Sequence, residues 1–392
     1  MTDAAGLPPL SAYVHLPWCI RKCPYCDFNS HEAGGELPET DYLAALRRDL
    51  EAQTQMVASR PLRSVFFGGG TPSLISAATV DAILRALEEA FGFEPGIEIT
   101  LEANPGASDA RRFTGYREAG VNRLSIGAQS FDDAQLRRLG RIHAAHEINA
   151  AFAAARSAGF DNINLDLMHG LPAQRPAGAE GDLTLALALE PTHLSWYQLT
   201  IEPNTGFHKR PPALPNDDVL ADIEDAGFAM LAAAGYARYE ISAFARAGYE
   251  CRHNLNYWRF GDYLGLGAGA HGKHTLADGT LFRTTNTRLP WDYLNAVTPT
   301  RKTDVEEDFF EFMLNALRLT TGFSPQLFTA RTGRDAADLD GFTTAAIGRG
   351  LLEAVQSDDG VERYQPTGPG LRFLNDLQLL AADHVPAPPQ TP

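Results

Sequence analysis

Cysteine is scarce in this sequence, long apolar runs are missing, and basic residues are outnumbered by acidic ones. Only four cysteines occur in 392 residues, which excludes a small scaffold held together by disulfide bonds. No run reaches the roughly 18 apolar positions of a membrane-spanning helix. The first residues, MTDAAGLPPLSAYVHLP, lack the basic and apolar regions of a signal peptide. We therefore expect a cytoplasmic protein without a membrane span.

The charge balance argues against nucleic acid as a partner. Lys and Arg number 33, against 49 Asp and Glu, so the formal net charge is −16. An acidic surface repels a phosphate backbone. The length also exceeds the roughly 250 to 300 residues of most single cores, so we expect one large domain and a smaller one.

Short apolar runs alternate with longer amphipathic segments over the first 240 residues, which is typical of βα units around a parallel sheet. Six such units are fewer than the eight of a closed barrel, so the pattern predicts an α/β fold with a partial, laterally open barrel. The predicted strands are SAYVHLP, RSVFFGGG, IEITLEANP, NRLSIGAQS, INLDLMHGLP and HLSWYQLTIEP. The predicted helices lie near 41–57, 76–91, 109–119, 132–158 (as two short helices), 181–189 and 217–234.

The pattern changes after residue 240. The stretch 241–300 is dense in aromatic, Asn, His and Gly residues and predicts an irregular extension. From about residue 304 a helical segment, a hairpin through SDDG and a final helix predict a small C-terminal domain of helical and winged type. We thus expect a barrel over 1–240, an extension over 241–300, a C-terminal domain over 301–384 and a tail over 385–392.

Each of the first five predicted strands ends in residues able to bind a ligand, and barrels build their chemistry at that rim. Five such ends in succession indicate one shared ligand. In chain order these ends carry Cys19, Cys23 and Cys26, then GGGTP at 68–72, then Glu102 and Asn104, then Gln129, and then Asp166.

The three cysteines of CIRKCPYC favour an iron–sulfur cluster. A cubane has four irons that each need a ligand, so three thiolates leave one iron open to a small molecule with amino and carboxylate groups. The alternative is a binding module without a redox role, in which the cysteines and His15 or His31 hold zinc. Structural zinc usually pairs two such knuckles, and this sequence has one, which favours the cluster.

The neighbouring polar residues suit an amino acid joined to a nucleoside. Glu102 could accept a hydrogen bond from an ammonium group, Arg141 could pair with a carboxylate, and Asp166 could accept from a ribose diol. The glycine run lets a ligand approach the backbone closely. Each feature has an ordinary alternative: a tight turn, a cap at a strand end or loop, or a surface ion pair. Together they favour a bound ligand.

These residues resemble the radical S-adenosylmethionine (SAM) superfamily, whose signature is C-x3-C-x2-C around a 4Fe-4S cluster. YVHLPWC, CPYCDF, GGGTPS, NRLSIGAQSF and NINLDLMHGLP are similar to the branch that contains the HemW heme chaperone family and the oxygen-independent coproporphyrinogen III dehydrogenases of porphyrin biosynthesis. The resemblance implies a partial (β/α)6 barrel with SAM at the open iron of a cluster held by Cys19, Cys23 and Cys26. It also implies cofactor contacts by Tyr13, Tyr25, Gly69, Gly70, Thr71, Glu102, Gln129, Arg141 and Asp166.

Two features favour the HemW family over the dehydrogenases. The dehydrogenases read C-x3-C-x2-C-x-C, whereas Phe28 stands at the fourth position here, and their N-terminal arm is longer than the 18 residues before Cys19. HNLNYW, at 253–258, matches the HNxxYW motif of the HemW family. The resemblance thus favours a heme chaperone over the dehydrogenase and leaves open whether SAM is cleaved, with acceptor hemoproteins that include respiratory membrane enzymes. Radical decarboxylation of coproporphyrinogen III is the alternative.

The HNLNYW segment has chemistry suited to heme. Imidazole is a common axial ligand of heme iron, and flat aromatic rings can line a macrocycle. We therefore expect heme contacts from His253, Asn254, Tyr257 and Trp258. The alternative is that the segment fixes the extension to the barrel mouth, with His253 packed in the interior. The partner of His271, in GAGAHG, is left open by the sequence.

Overall fold

The computed structural model describes residues 6–106, 111–295, 300–304, 307–356 and 360–386. Within these ranges the chain has sixteen strands. The strands are β1 (Leu10–Leu16), β2 (Trp18–Cys19), β3 (His31–Glu32), β4 (Leu62–Gly69), β5 (Phe93–Ala103), β6 (Arg123–Gln129), β7 (Asn162–His169), β8 (His193–Gln198), β9 (Ala237–Glu240), β10 (Ala243–Ala245), β11 (Asp262–Leu266), β12 (His271–Thr275), β13 (Leu281–Thr285), β14 (Thr300–Asp304), β15 (Leu352–Gln356) and β16 (Glu362–Pro366). Twelve of them form one sheet, and the other four form two separate pairs, β2 with β3 and β15 with β16. The α-helices are α1 (Glu39–Thr54), α2 (Ala77–Phe91), α3 (Phe113–Glu118), α4 (Asp133–Arg138), α5 (Ala145–Ser157), α6 (Pro176–Ala188), α7 (Gly206–Lys209), α8 (Asp217–Ala233), α9 (Arg252–Trp258), α10 (Pro290–Asn295), α11 (Asp308–Ala316), α12 (Pro325–Thr332), α13 (Asp340–Gly348), α14 (Gly368–Arg372) and α15 (Leu374–Ala382).

The central part of the sheet is parallel and open. Its strand order is β14-β13-β12-β11-β1-β4-β5-β6-β7-β8-β10-β9, and the strands from β11 to β8 in this order are parallel. All six predicted strands are present, as β1 and β4 to β8, and they lie side by side in chain order, as successive βα units require. In the part of the chain that the structure describes, β14 and β9 end the sheet on opposite sides. The predicted open α/β fold is confirmed.

The extension contains more regular structure than the irregular segment that its sequence predicted. β11 adds a seventh parallel strand beside β1, and β12 and β13 continue the sheet as antiparallel strands. Glycines conceal this pattern in the sequence. A Cβ atom at Gly265 would lie 2.0 Å from the carbonyl oxygen of His271, and one at Gly272 would lie 2.4 Å from Oγ1 of Thr284. Close packing of these strands requires glycine where an apolar side chain would have indicated a strand.

Some element boundaries differ from the predictions. α6 begins at Pro176 rather than near 181, because proline is favourable in the first helical turn. α11 begins at Asp308 rather than near 304, where the chain is still in β14. The predicted hairpin is confirmed as β15 and β16. Its turn at 357–359, the start of the third predicted helix at 109–110 and most of the predicted tail lie outside the described residues.

Two apolar cores stabilise the chain. The larger lies between the sheet and its helices and includes Leu101 on β5 and Leu165 on β7. The smaller belongs to the C-terminal part, where the rings of Phe309 and Phe312 both meet Phe328 edge to face. Burial of each such side chain contributes roughly 1.5–3 kcal/mol. No described helix combines the length and apolar character that a bilayer crossing requires.

Candidate functional site

Two cavities lie side by side, and one of them lies at the carboxyl ends of the parallel strands. The cysteine cavity, of about 580 Å³, is bordered by the three clustered cysteines and by Asp166. The aromatic cavity, of about 620 Å³, is bordered by Tyr257, Tyr263 and His271. The residues that border both cavities are Phe28, Gly69, Glu102 and Trp258. Ligands in the two cavities would therefore share a wall.

The cysteine cavity brings together most of the residues that the sequence assigned to the cluster and to SAM. Tyr13 is the exception, because it borders the aromatic cavity. The predicted cluster and cofactor residues around the cysteine cavity are Cys19, Cys23, Cys26, Tyr25, Gly69, Gly70, Thr71, Glu102, Gln129, Arg141 and Asp166. Positions far apart in the sequence thus meet around one space, as the argument from the strand ends expected.

The three thiols lie on one loop that begins at β2. The N–H of Cys26 donates to the carbonyl oxygen of Cys23 over 3.2 Å, and Nη1 of Arg141 donates to Sγ of Cys23 over 3.8 Å. Burial raises the pKa of Cys19 and of Cys26 above the ordinary thiol value. Both thiols are therefore protonated at neutral pH, and metal binding would displace their protons.

The donor set fits a cluster better than a single ion. Among the described residues, no group of three His, Cys, Asp or Glu side chains is arranged to hold one metal ion, whereas tetrahedral zinc needs donors that converge on a point. A cluster makes a different demand, because each cysteine binds a different iron. The available donors are sulfur atoms, and they border a cavity with space beside them. The residues present thus fit a cluster with three protein ligands.

The glycine run fixes the cysteine loop to the end of β4. A Cβ atom at Gly70 would lie 2.5 Å from the carbonyl oxygen of Trp18, and the N–H of Thr71 donates to the same oxygen over 2.7 Å. Gly69 has φ +120°, a conformation that glycine adopts without strain. A larger residue at Gly70 would displace Trp18, which directly precedes Cys19.

The two acids assigned to SAM have different environments. Glu102 accepts a backbone hydrogen bond from Gly69 over 3.3 Å, and burial, with a smaller contribution from Asp166, raises the pKa of its carboxyl to about 8. Asp166 accepts hydrogen bonds of 2.8 Å from Oγ of Ser125 and from Nδ2 of Asn164. A cation beside Glu102 would favour ionisation of this carboxyl, whereas Asp166 is already held in one orientation by its donors.

Arg141 and Gln129 are fixed by interior hydrogen bonds, so Arg141 does not form the surface ion pair considered as its alternative. Nη2 of Arg141 donates to Oδ1 of Asn104 over 2.6 Å and to the carbonyl oxygen of Gly127 over 2.9 Å. Gln129 ends β6 with φ +67°, which is uncommon for a residue other than glycine. Its Oε1 accepts from the hydroxyl of Tyr197 over 2.8 Å. Tyr197 was not among the predicted site residues, although it lies in the sixth predicted strand, HLSWYQLTIEP.

The HNLNYW segment forms α9 and separates the two cavities. Asn254 borders the cysteine cavity, Tyr257 borders the aromatic cavity and Trp258 borders both. His253 borders neither cavity and is buried. Its Nδ1 lies 3.0 Å from Oγ of Ser64 and its Nε2 lies 2.9 Å from the hydroxyl oxygen of Tyr257. Burial lowers the pKa of His253 to about 3, so this imidazole is neutral, and both of its nitrogens are hydrogen-bonded.

A buried chain of polar groups joins Asp166 to the start of α9. Asn164 donates to Asp166, and its Oδ1 lies 2.6 Å from Nδ1 of His193. Nε2 of His193 lies 2.9 Å from the hydroxyl oxygen of Tyr239, which also accepts from the N–H of Cys251 over 3.3 Å. No local pattern in the sequence indicates these contacts, because the residues come from β7, β8, β9 and the start of α9.

The comparisons with known proteins agree with this geometry. The model of the radical SAM superfamily matches residues 13–184. Heme chaperone HemW of Escherichia coli (strain K12) is 48% identical over 373 residues, which cover 95% of this chain and 97% of that protein. Heme chaperone HemW of Haemophilus influenzae is 47% identical over 380 residues, with 95% and 97% covered.

A solved structure shares the fold at lower identity. Coproporphyrinogen III oxidase (HemN) from Escherichia coli, described as a radical SAM enzyme, matches with a TM-score of 0.77 and 23% identity over 96% of this chain and 90% of that chain. Membership of the radical SAM superfamily implies a 4Fe-4S cluster and SAM. With its HemW relatives matching over nearly their full length, the chain belongs to the HemW heme chaperone family of radical SAM proteins.

Proposed function

We propose that this protein binds heme beside a SAM-bearing 4Fe-4S cluster and passes the heme to acceptor hemoproteins, among them respiratory membrane enzymes. The relatives named as heme chaperones support the function. The main support for heme beside the cluster is the wall that the two cavities share. This wall puts a large aromatic-lined space next to the cysteine loop. In this arrangement the state of the cluster can influence heme binding and release.

The cluster and SAM would be held by residues of the cysteine cavity. When bound, they supply one-electron chemistry. Cys19, Cys23 and Cys26 would bind three irons, Glu102 would accept from the amino group of SAM, and Asp166 would accept from its ribose hydroxyls. The other proposed SAM contacts are Tyr13, Tyr25, Gly69, Gly70, Thr71, Gln129 and Arg141.

The heme would contact α9, which forms the partition between the cavities. Tyr257 and Trp258 offer flat rings to a macrocycle, and Asn254 borders the cluster side. His253 completes the proposed heme segment. Iron binding by His253 would require it to leave Ser64 or Tyr257, since both ring nitrogens are hydrogen-bonded. We also propose that the chain is organised as a barrel (1–240), an extension that continues its sheet (241–300) and a C-terminal domain (301–384), with heme held between the first two.

Anaerobic heme titration of the full-length protein, reconstituted with iron and sulfide, tests this function. We expect saturable heme binding and subsequent transfer to an apo-hemoprotein. Trp258→Ala, which removes the ring between the cavities, should weaken heme binding by about tenfold or more. Trp291→Ala is the matched control, because this indole is 72% exposed and borders neither cavity.

The same preparation separates the chaperone from the dehydrogenase. Consumption of coproporphyrinogen III, with reductant and SAM present, would show decarboxylation and overturn the chaperone assignment if heme binding were absent. Phe28, at the position of the fourth dehydrogenase cysteine, is 60% exposed and borders both cavities. We expect heme binding and no consumption of coproporphyrinogen III.

A further inference from the structure

The histidines near the cavities differ in whether a ring nitrogen is available to a metal. Nδ1 of His15 lies 3.1 Å from the hydroxyl oxygen of Tyr13, and its Nε2 lies 2.8 Å from the carbonyl oxygen of Asn29. His253 is buried outside both cavities, and both of its nitrogens are hydrogen-bonded. His271 borders the aromatic cavity with an exposed side chain. Within the described ranges its ring makes no hydrogen bond, so a nitrogen lone pair is available for iron.

The backbone fixes the position of His271. It is the first residue of β12 and pairs with Thr285 of β13. On its other side the close approach of Gly265 confines its carbonyl oxygen. A ligand carried on a paired strand is held more precisely than one on a loop. His271 thus carries its imidazole on a fixed backbone at the edge of a cavity.

The same edge carries cations suited to the carboxylates of heme. Arg283 and Arg288 border the aromatic cavity together with His271. Arg283 is already bound to Glu311 and to the hydroxyl of Tyr263. The exposed guanidinium of Arg288 makes no hydrogen bond or ion pair to another residue of the described ranges. It is therefore the group best placed to pair with a propionate.

The size and lining of the aromatic cavity also suit a flat aromatic ligand. Tyr257 and Tyr263 meet edge to face with centroids 4.5 Å apart, and Phe28 and Trp258 border the side toward the cysteine cavity. The volume of about 620 Å³ lies within the usual range for ligand sites, roughly 300–1,000 Å³. Apolar rings line the space while charged groups stand at its edge.

We propose that heme occupies the aromatic cavity with its iron bound by His271 and a propionate paired with Arg288. This inference rests on the proposed function and assigns its iron ligand to a residue outside HNLNYW. His253 then acts as a positioning residue: it holds the hydroxyl of Tyr257 and keeps this ring against the heme, without touching the iron.

Ferric heme titrations of the full-length, cluster-loaded protein test the assignment by absorption and electron paramagnetic resonance spectra. We expect His271→Gly to lose the spectrum of imidazole-bound heme and free imidazole to restore it. His253→Ala should keep that spectrum but raise the heme Kd, because Tyr257 loses a hydrogen-bond partner, whereas the control His146→Ala on the exposed face of α5 should change neither. Arg288→Gln should raise the heme Kd by about tenfold without changing the spectrum. The matched control, Arg137→Gln, changes an exposed arginine on α4 away from both cavities.

The outcomes separate this inference from the function on which it rests. Absence of saturable heme binding by the wild-type protein would overturn both. Binding by the wild type, with an unchanged spectrum in His271→Gly and a lost one in His253→Ala, would overturn only the assignment to His271. Loss of the spectrum in His271→Gly, its recovery with imidazole and its persistence in His253→Ala would support the assignment. Equal heme affinity of Arg288→Gln and Arg137→Gln would refute the propionate contact.

Discussion

Replacement of Glu102 by glutamine removes a carboxyl group whose protonation is linked to folding. Burial and the nearby Asp166 raise its pKa from 4.5 to about 8. At 1.36 kcal/mol per pKa unit, this difference is about 5 kcal/mol. Glu102 borders two cavities that water can enter, so solvation of the carboxylate reduces the measurable effect, and we expect about 1–3 kcal/mol.

The direction of the pH dependence follows from whether the folded or the unfolded chain keeps the Glu102 proton. Above pH 4.5 the unfolded chain loses the Glu102 proton, while the folded chain keeps it until about pH 8. The free energy of unfolding of the apo-protein therefore falls as pH rises through this interval. Glu102→Gln lacks this contribution, so its stability relative to wild type should increase by about 1–3 kcal/mol between pH 5.5 and pH 8.5.

Urea unfolding at these two pH values measures the effect. Glu51→Gln, at an exposed position of α1, is the control and should show the same pH dependence as wild type. A stability difference between Glu102→Gln and wild type that does not change with pH would refute the argument for a buried, protonated acid. Calorimetry adds a second readout: at pH 7, SAM binding should release close to one proton more from wild type than from Glu102→Gln, because the positive charge of SAM favours the ionised carboxyl.

Three further substitutions test the cluster and the packing of the fold. Cys19→Ala should reduce bound iron and sulfide to background after anaerobic reconstitution, with unchanged thermal unfolding of the apo-protein; retention of a full cluster would contradict the ligand assignment. Gly227→Ala should lower the free energy of unfolding by about 1–3 kcal/mol, since its methyl group would overlap a buried indole, whereas Gly181→Ala meets no neighbouring atom and should cost nothing. Asp262→Ala removes the buried carboxylate that pairs with Arg60 and Lys273 and should cost about 3–5 kcal/mol in urea unfolding. Asp81→Ala removes an exposed ion pair and should cost much less. Equal costs of Gly227→Ala and Gly181→Ala would contradict the packing argument, and equal costs of removing Asp262 and Asp81 would contradict the argument from the buried ion pairs.

The sequence predicted the parallel strands and the cysteine cavity because both follow from local patterns. Each βα unit brings an apolar run to the sheet and leaves polar residues at the strand end, as with Glu102 and Asp166. Since parallel strands all end at one edge, residues from different units had to meet there. The cysteine spacing needed no tertiary information, because its three members lie on one loop.

The aromatic cavity could not be predicted in the same way. Its strands contain glycines such as Gly265 and Gly272, which permit close pairing and conceal the apolar alternation. Arg283 and His271 therefore could not be placed beside each other before β12 and β13 were known. The burial of His253 is also a tertiary result, because its hydrogen bond to Ser64 joins α9 to a distant strand.

Coupling between the two cavities is the central claim, and heme affinity measured with and without SAM tests it most directly. The titration uses the cluster-loaded wild type and Cys19→Ala, under anaerobic conditions and at one salt concentration. SAM should change the wild-type heme Kd by about fivefold or more and leave that of Cys19→Ala unchanged. If the four titration curves, of wild type and Cys19→Ala each with and without SAM, superimpose, they would contradict the account. Cavities that share a wall would then bind their ligands independently.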